Sequence, residues 1–161
     1  MMSVTTKVLV MYYSRTGNTE QMAASVAKGA RDQGADVRIQ AASELCSEDF
    51  LGPDVLIVGT PTYYGLMSAE LKQLFDESVA QHGDLAGKVG GAFASAANIG
   101  GGNETAVLSI LQTMLIHGMV VQGAAEGDHY GPISIGAPDN RAMNQCRELG
   151  ARLVRLAERL D

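Results

Sequence analysis

The stretch KVLVMYYSRTGNT, residues 7–19, limits most strongly what this chain can become. After Lys7, every residue up to Tyr13 is aliphatic, sulfur-bearing or aromatic, a run that suits a strand covered on both faces. Ser14, Arg15, Thr16, Gly17, Asn18 and Thr19 follow, and then Met22, Ala23, Val26, Ala27 and Ala30 recur at helical spacing. A strand that turns through hydroxyls and a glycine into a helix makes an anion site. The first helical N–H groups have no partner within the helix, and the macrodipole places partial positive charge there. Ser14, Thr16 and Thr19 add hydroxyl donors and Gly17 lets the backbone curl, so the loop reads as a phosphate cradle. The plainer alternative is a strand-to-helix turn in which a hydroxyl serves as N-cap. Two other phosphate motifs, G-x-G-x-x-G after the first strand and G-x-x-x-x-G-K-[ST], are missing from the sequence.

The remaining chain repeats the alternation. A helix is expected from about Gly17 to Gln33, closed by Gly34, then a short strand over Val37 to Ala41 and an acidic loop from Ser43 to Pro53. Asp54 to Gly59 reads as a third, apolar strand. The loop Thr60 to Gly65 follows, and then a helix from about Ser68 to Val79 with Leu71, Leu74, Phe75 and Val79 at helical spacing. After a turn over Gln81 to Gly87, Lys88 to Ala96 forms a fourth strand of small residues, whose Gly90 and Gly91 predict close approach by a packed helix. The glycine-rich loop Asn98 to Asn103 leads into a helix from about Glu104 to Ile116, with Gly118 as its stop. Met119 to Gln122 is a short fifth strand, Ala124 to Pro138 an irregular loop, and Asp139 to Leu160 a terminal amphipathic helix whose Met143, Cys146, Leu149, Leu153 and Leu156 share one stripe. This pattern predicts a single α/β domain over 1–161, with helices on both faces of a five-stranded parallel sheet in the order 2-1-3-4-5. A ligand then sits beyond the strand C-termini between strands 1 and 3. The loops at that edge, 14–19, 60–65, 95–103 and 123–133, are each rich in Gly, Ser, Thr, Asn or Tyr.

Composition closes off other functions. A length of 161 residues with 46% hydrophobic content supports one sizeable core. A net charge of -6 with pI about 5.0, and no basic cluster, give nucleic acid no electrostatic foothold. Cys46 and Cys146 lack C-x-x-C spacing, which fits free thiols in a reducing compartment rather than zinc or thioredoxin-type chemistry. The start MMSVTTK has no leader pattern and no apolar run approaches membrane-spanning length, so a soluble, cytoplasmic protein is expected. No carboxylate pair, Ser-His-Asp order or metal-ligand spacing stands out.

The loop [S/T]-x-T-G-x-T at 14–19 resembles that of the flavodoxin family, which holds the phosphate of flavin mononucleotide (FMN). Three further segments narrow the likeness. PTYYGLMSAELKQLFD (61–76), FASAANIGGGNET (93–105) and LIHGMVV (115–121) are similar to segments of WrbA-type NAD(P)H:quinone oxidoreductases, one branch of that superfamily. With 7–19 they cover just under a third of the chain. The resemblance implies a flavodoxin-like three-layer sandwich. It also implies FMN contacts at Ser14, Arg15, Thr16, Gly17, Asn18, Thr19, Pro61, Thr62, Tyr63, Tyr64, Gly65, Ser95, Ala96, Ala97, Asn98, Ile99, Gly100 and His117. A flat flavin ring needs an aromatic or apolar wall, which Tyr63 and Tyr64 would supply, with Pro61 and Gly65 shaping the backbone.

His117 stands at a helix C-terminus, where the dipole favours its protonated form. It either caps carbonyls there or, as the resemblance implies, stabilises negative charge on reduced FMN as a catalytic group. His129, in the loop after strand 5, has a possible substrate contact as its functional reading. The implied activity is FMN-dependent oxidation of NADH or NADPH with transfer to a quinone-like acceptor, in a homodimer or homotetramer. The alternative is a flavodoxin-type electron carrier that serves a redox partner protein and has no small substrate.

Overall fold

The computed structural model of the chain describes residues 4–161. Residues 1–3 of the MMSVTTK stretch lie outside the described residues. The strands are β1 (Lys7–Tyr12), β2 (Asp36–Ala41), β3 (Val55–Pro61), β4 (Val89–Ala96), β5 (Val120–Val121) and β6 (Ile133–Ile135). The helices are α1 (Asn18–Asp32), α2 (Ala69–Glu77), α3 (Asn103–Ile116) and α4 (Asn140–Leu160). The sheet runs β2-β1-β3-β4-β5 and every pairing is parallel, with Val10 opposite both Ile39 and Ile57, and Ile57 opposite Gly91.

Because successive strand residues point to opposite faces, the apolar runs divide into two cores. Val8, Val10, Ile57, Val89 and Phe93 meet α1 and α4 on one side. Leu9, Met11, Leu56, Val58, Ala92 and Ala94 meet α2 and α3 on the other. Each large side chain so covered contributes about 1.5–3 kcal/mol. Gly90 and Gly91 do admit close helices: a Cβ on Gly90 would lie 2.6 Å from Met114 Sδ, and one on Gly91 would lie 2.5 Å from Leu153 Cδ1. The α1–α4 crossing is tighter still. A Cβ on Gly29 would fall 1.9 Å from the Arg147 carbonyl oxygen, and one on Gly150 2.0 Å from that of Val26. On the α4 stripe, Cys146, Leu149 and Leu153 are buried, and Val154 joins them.

Two features differ from the sequence expectation. The loop 124–138 is not wholly irregular: Ile133–Ile135 forms β6, which pairs with Ala94–Ala96, whereas β5 pairs only with Val89 and Gly90. The fifth strand position is thus filled by two short pieces separated by an excursion. The second helix also ends earlier than its periodicity suggests, at Glu77, and passes into a 3₁₀ turn over Ser78–Gln81 that leaves Val79 exposed.

Candidate cofactor site

The site is built where β1, β3 and β4 end. Ser14 Oγ accepts from the Gly17 N–H at 3.1 Å, closing the loop on itself. Gly17 then takes a left-handed conformation (φ +93°), and the first intrahelical bond of α1 runs from the Gln21 N–H to the Gly17 carbonyl at 3.1 Å. The amides of Asn18, Thr19 and Glu20 precede that donor, and no side chain caps this end of the helix. Its partial positive charge therefore faces open space, since even a Cβ on Gly17 would meet nothing within 4 Å.

Beside these amides lies a cavity of about 470 Å³, lined by Arg15, Thr16, Asn18, Thr19, Pro61, Thr62, Tyr63, Ser95, Ala96, Ala97 and Gly136. Its volume suits a nucleotide-sized ligand. Arg15 is the one charged side chain in this lining, so an anion meets a cation and free amides without an opposing carboxylate. The walls are cross-tied: Thr19 Oγ1 and Ser95 Oγ are 2.9 Å apart and buried, joining the 14–19 loop to β4. The Thr62 amide and hydroxyl both donate to the Ser95 carbonyl at 2.8 Å, joining the β3 loop to the same strand. Farther along that loop, Ser68 N–H donates to Thr60 Oγ1 at 3.0 Å and Met67 N–H to Ser109 Oγ at 3.0 Å, so the segment is anchored at both ends. Tyr63 meets Tyr13 edge to face, with ring centroids 6.4 Å apart.

Of the residues expected here from the sequence, ten line this cavity: Arg15, Thr16, Asn18, Thr19, Pro61, Thr62, Tyr63, Ser95, Ala96 and Ala97. Ser14 and Gly17 shape the loop from behind. Tyr64 is fully exposed, with φ +51°, and does not line the cavity as Tyr63 does. Gly65, Asn98, Ile99 and Gly100 do not line the cavity. Gly65 packs instead on the glycine-rich loop before α3, where a Cβ on Gly102 would come within 2.7 Å of Gly65 Cα. His117 is a correction. It follows the last residue of α3, a helix of 14 residues that starts beside the cavity at Gly102 and rises about 21 Å away from it. It lines a separate groove and is removed from the cavity of its own chain. Nor is it poised as a cation, since burial and the neighbouring His82 lower its pKa. Gly136, at the end of β6, was missed because its strand was not visible in the sequence.

A second cavity of about 430 Å³ lies on the other side of the loop, lined among others by Tyr12, Tyr13, Glu20, Glu70 and Glu77. Burial and the nearby Glu70 raise the Tyr13 phenol above its ordinary pKa of 10.0. Three carboxylates make this cavity hostile to an anion, in contrast to the cavity beside the α1 amides.

A doubly wound parallel sheet with an uncapped helix N-terminus and a cavity at its switch point defines a mononucleotide-binding α/β protein. Comparison with known proteins makes the class specific. The family profile described as Flavodoxin matches residues 10–115, and the chain belongs to the flavodoxin family. It is 42% identical over 157 residues to "Flavodoxin" of Aquifex aeolicus, covering 92% of this chain and 85% of that one. It is 34% identical over 195 residues to "NAD(P)H dehydrogenase (quinone)" of Sinorhizobium fredii, covering 96% and 98%. Among solved structures, the flavodoxin, WrbA-like protein of Agrobacterium tumefaciens superposes with a TM-score of 0.82 at 26% identity, covering 98% of this chain and all of that one.

Proposed function

We propose that this chain is an FMN-dependent oxidoreductase that takes hydride from NADH or NADPH and delivers electrons to a quinone-like acceptor. The single observation that carries the reading is the pairing of uncapped α1 amides with a nucleotide-sized cavity at the β1/β3 switch point. The amides of Asn18, Thr19 and Glu20 would hold the phosphate, helped by the hydroxyls of Thr16 and Thr19 and by Arg15. Thr62, Tyr63 and Ser95 to Ala97 would border the ring, with Tyr63 against its edge or face. The Ser95 bonds to Thr19 and Thr62 keep both walls in register, so the site is formed before ligand arrives. FMN, when bound, supplies the hydride-accepting and electron-donating chemistry, while the chain orients it and excludes water. The relatives named NAD(P)H dehydrogenase (quinone), at 32–40% identity, support the reductase reading.

The flavodoxin-type carrier is the second reading, and the 42% identity to a protein named Flavodoxin favours it. A homodimer or homotetramer is the proposed assembly. Its support is the exposure of the apolar side chains of Tyr64, Leu66, Ile99 and Tyr130, which a second copy or a redox partner would cover. Steady-state oxidation of NADH and NADPH by the FMN-loaded protein, with benzoquinone as acceptor, separates the two readings. Turnover well above that of the same concentration of free FMN is expected. Turnover equal to free FMN would leave the carrier.

A further inference from the structure

Glu70, Gln73, Leu74 and Glu77 stand at i, i+3, i+4 and i+7 along α2, so they share one face of that helix. This face is a wall of the 430 Å³ cavity on the far side of the 14–19 loop. Tyr12, Tyr13 and Glu20 border the cavity from the end of β1 and the start of α1, and Ala41, Ala42 and Leu45 add apolar surface from the end of β2. No Lys, Arg or His is in the lining. Lys72 of the same helix turns to another groove, where it pairs with Asp76. Among the described residues, none of Glu20, Glu70 and Glu77 joins an ion pair. The Tyr12 hydroxyl donates to Glu20 Oε1 at 3.2 Å and the Gln73 amide to Glu77 Oε1 at 3.0 Å, so these two carboxylates are oriented and each keeps Oε2 for another donor. The concavity is more than a charged surface. Aromatic rings attract cations through their faces, and the alanines and leucines offer cover for a hydrocarbon stem.

We propose that this cavity binds a linear aliphatic polyamine, of which spermidine is the probe. Among the described residues no group of three or more His, Cys, Asp or Glu is arranged to hold a metal ion, so the charge suits an extended organic cation rather than a point ion. Spacing gives the length. Glu70 and Glu77 are two turns apart, about 10.5 Å along the helix, too far for one ammonium group to bridge. An extended triamine carries its terminal nitrogens a comparable distance apart. Its two ends meet Glu70 and Glu77, its third ammonium faces Glu20, and its methylenes lie on the tyrosine rings and on Ala42 and Leu45. Three positive charges then balance three carboxylates. Ser14 borders this cavity and also accepts from the Gly17 N–H, so a bound polyamine lies behind the 14–19 loop and outside the flavin cavity. The site therefore stands independently of the redox reading.

The test is calorimetric titration of the purified protein, with FMN added, against spermidine in about 0.15 M salt, where charges more than about 8 Å apart are screened. One saturable site is expected. Glu70→Gln and Glu77→Gln, at exposed positions, should each weaken binding by about two- to fivefold, and together by roughly the product. Glu158→Gln removes the same charge near the far end of α4 and should bind as the unaltered protein does. 1,3-Diaminopropane, too short to reach from Glu70 to Glu77, should bind about tenfold more weakly, having lost one ion pair and part of its stem. Absence of saturable binding below millimolar spermidine would overturn the proposal. So would a Glu158→Gln variant weakened as much as Glu77→Gln, or complete displacement of spermidine by an equal concentration of MgCl₂, since either result reports diffuse charge rather than a shaped site.

Discussion

Two glycines flank α1 under almost identical conditions. Gly17 before it has φ +93° and Gly34 after it φ +87°, and a Cβ at either position meets nothing within 4 Å. Alanine at either therefore introduces no clash and is strained only through its backbone. A left-handed alanine costs about 1–2 kcal/mol, which for a domain of this size corresponds to a fall in unfolding midpoint of about 2–8 °C. As apoproteins, Gly34→Ala should lose that full amount and Gly17→Ala less of it, because the empty cradle can relax. They should differ in FMN affinity. At Gly17 the strained chain relaxes away from +93° when the cradle is empty, and ligand must pull it back. Up to the same 1–2 kcal/mol then appears in binding, a rise in Kd of about 5–30-fold. Gly34 ends the helix far from the cavity, so its variant should bind as the parent does. Gly17→Asn should fall between, because asparagine tolerates the left-handed region. Flavin fluorescence quenching on titration with apoprotein measures all three. Equal affinity in Gly17→Ala and Gly34→Ala would refute the claim that the curled backbone at 17–20 grips the phosphate.

Gly150→Ala should destabilise by about 3 kcal/mol through overpacking, because its methyl would lie 2.0 Å from the Val26 carbonyl; a urea midpoint unchanged from the parent would contradict the crossing. Cys146 predicts alkaline behaviour. Burial pushes its thiol from 9.0 up to about 12, so above pH 9 the unfolded chain sheds a proton that the folded chain keeps. Stability contributed by this group is whole below pH 9 and should decline by about 1.4 kcal/mol per pH unit between pH 9 and 12. Urea unfolding of Cys146→Ala across that range should lack this component of the slope. A thiol reagent at pH 8 should accordingly label one cysteine, the exposed Cys46, in the native protein and two in denaturant.

The parts of the architecture visible in the sequence were those in which one short segment determines its own environment. β1 and β3 are apolar on both faces, and the strand boundaries expected from KVLVMYY and DVLIVG are right to within one or two residues. The turn from β1 into α1 was legible for the same reason, since glycine, hydroxyls and helix start are contiguous. β6 was not, because Ile133–Ile135 is three residues between Gly131-Pro132 and Gly136, and its only warrant is a distant edge, Ala94–Ala96. Tyr64 and His117 failed differently. A motif gives residue types but neither φ nor distance: a left-handed backbone turned Tyr64 outward, and the length of α3 carried His117 to the far end of the sheet.

The divided fifth position of the sheet bears on how the molecule avoids its neighbours. Between the pieces held by β5 and β6, the flank of Gly91 to Phe93 has no strand beside it, and a bare flank of that kind recruits other chains. The excursion fills the gap: Gly131 lies so close that a Cβ there would come within 2.1 Å of the Ala92 carbonyl oxygen, and the Pro132 carbonyl accepts from the Ala94 N–H at 2.9 Å. What looks like a decorative detour is a guard rail. Shortening it to join the two pieces directly would trade solubility for brevity, since the exposed flank would then be free to zip onto the next molecule.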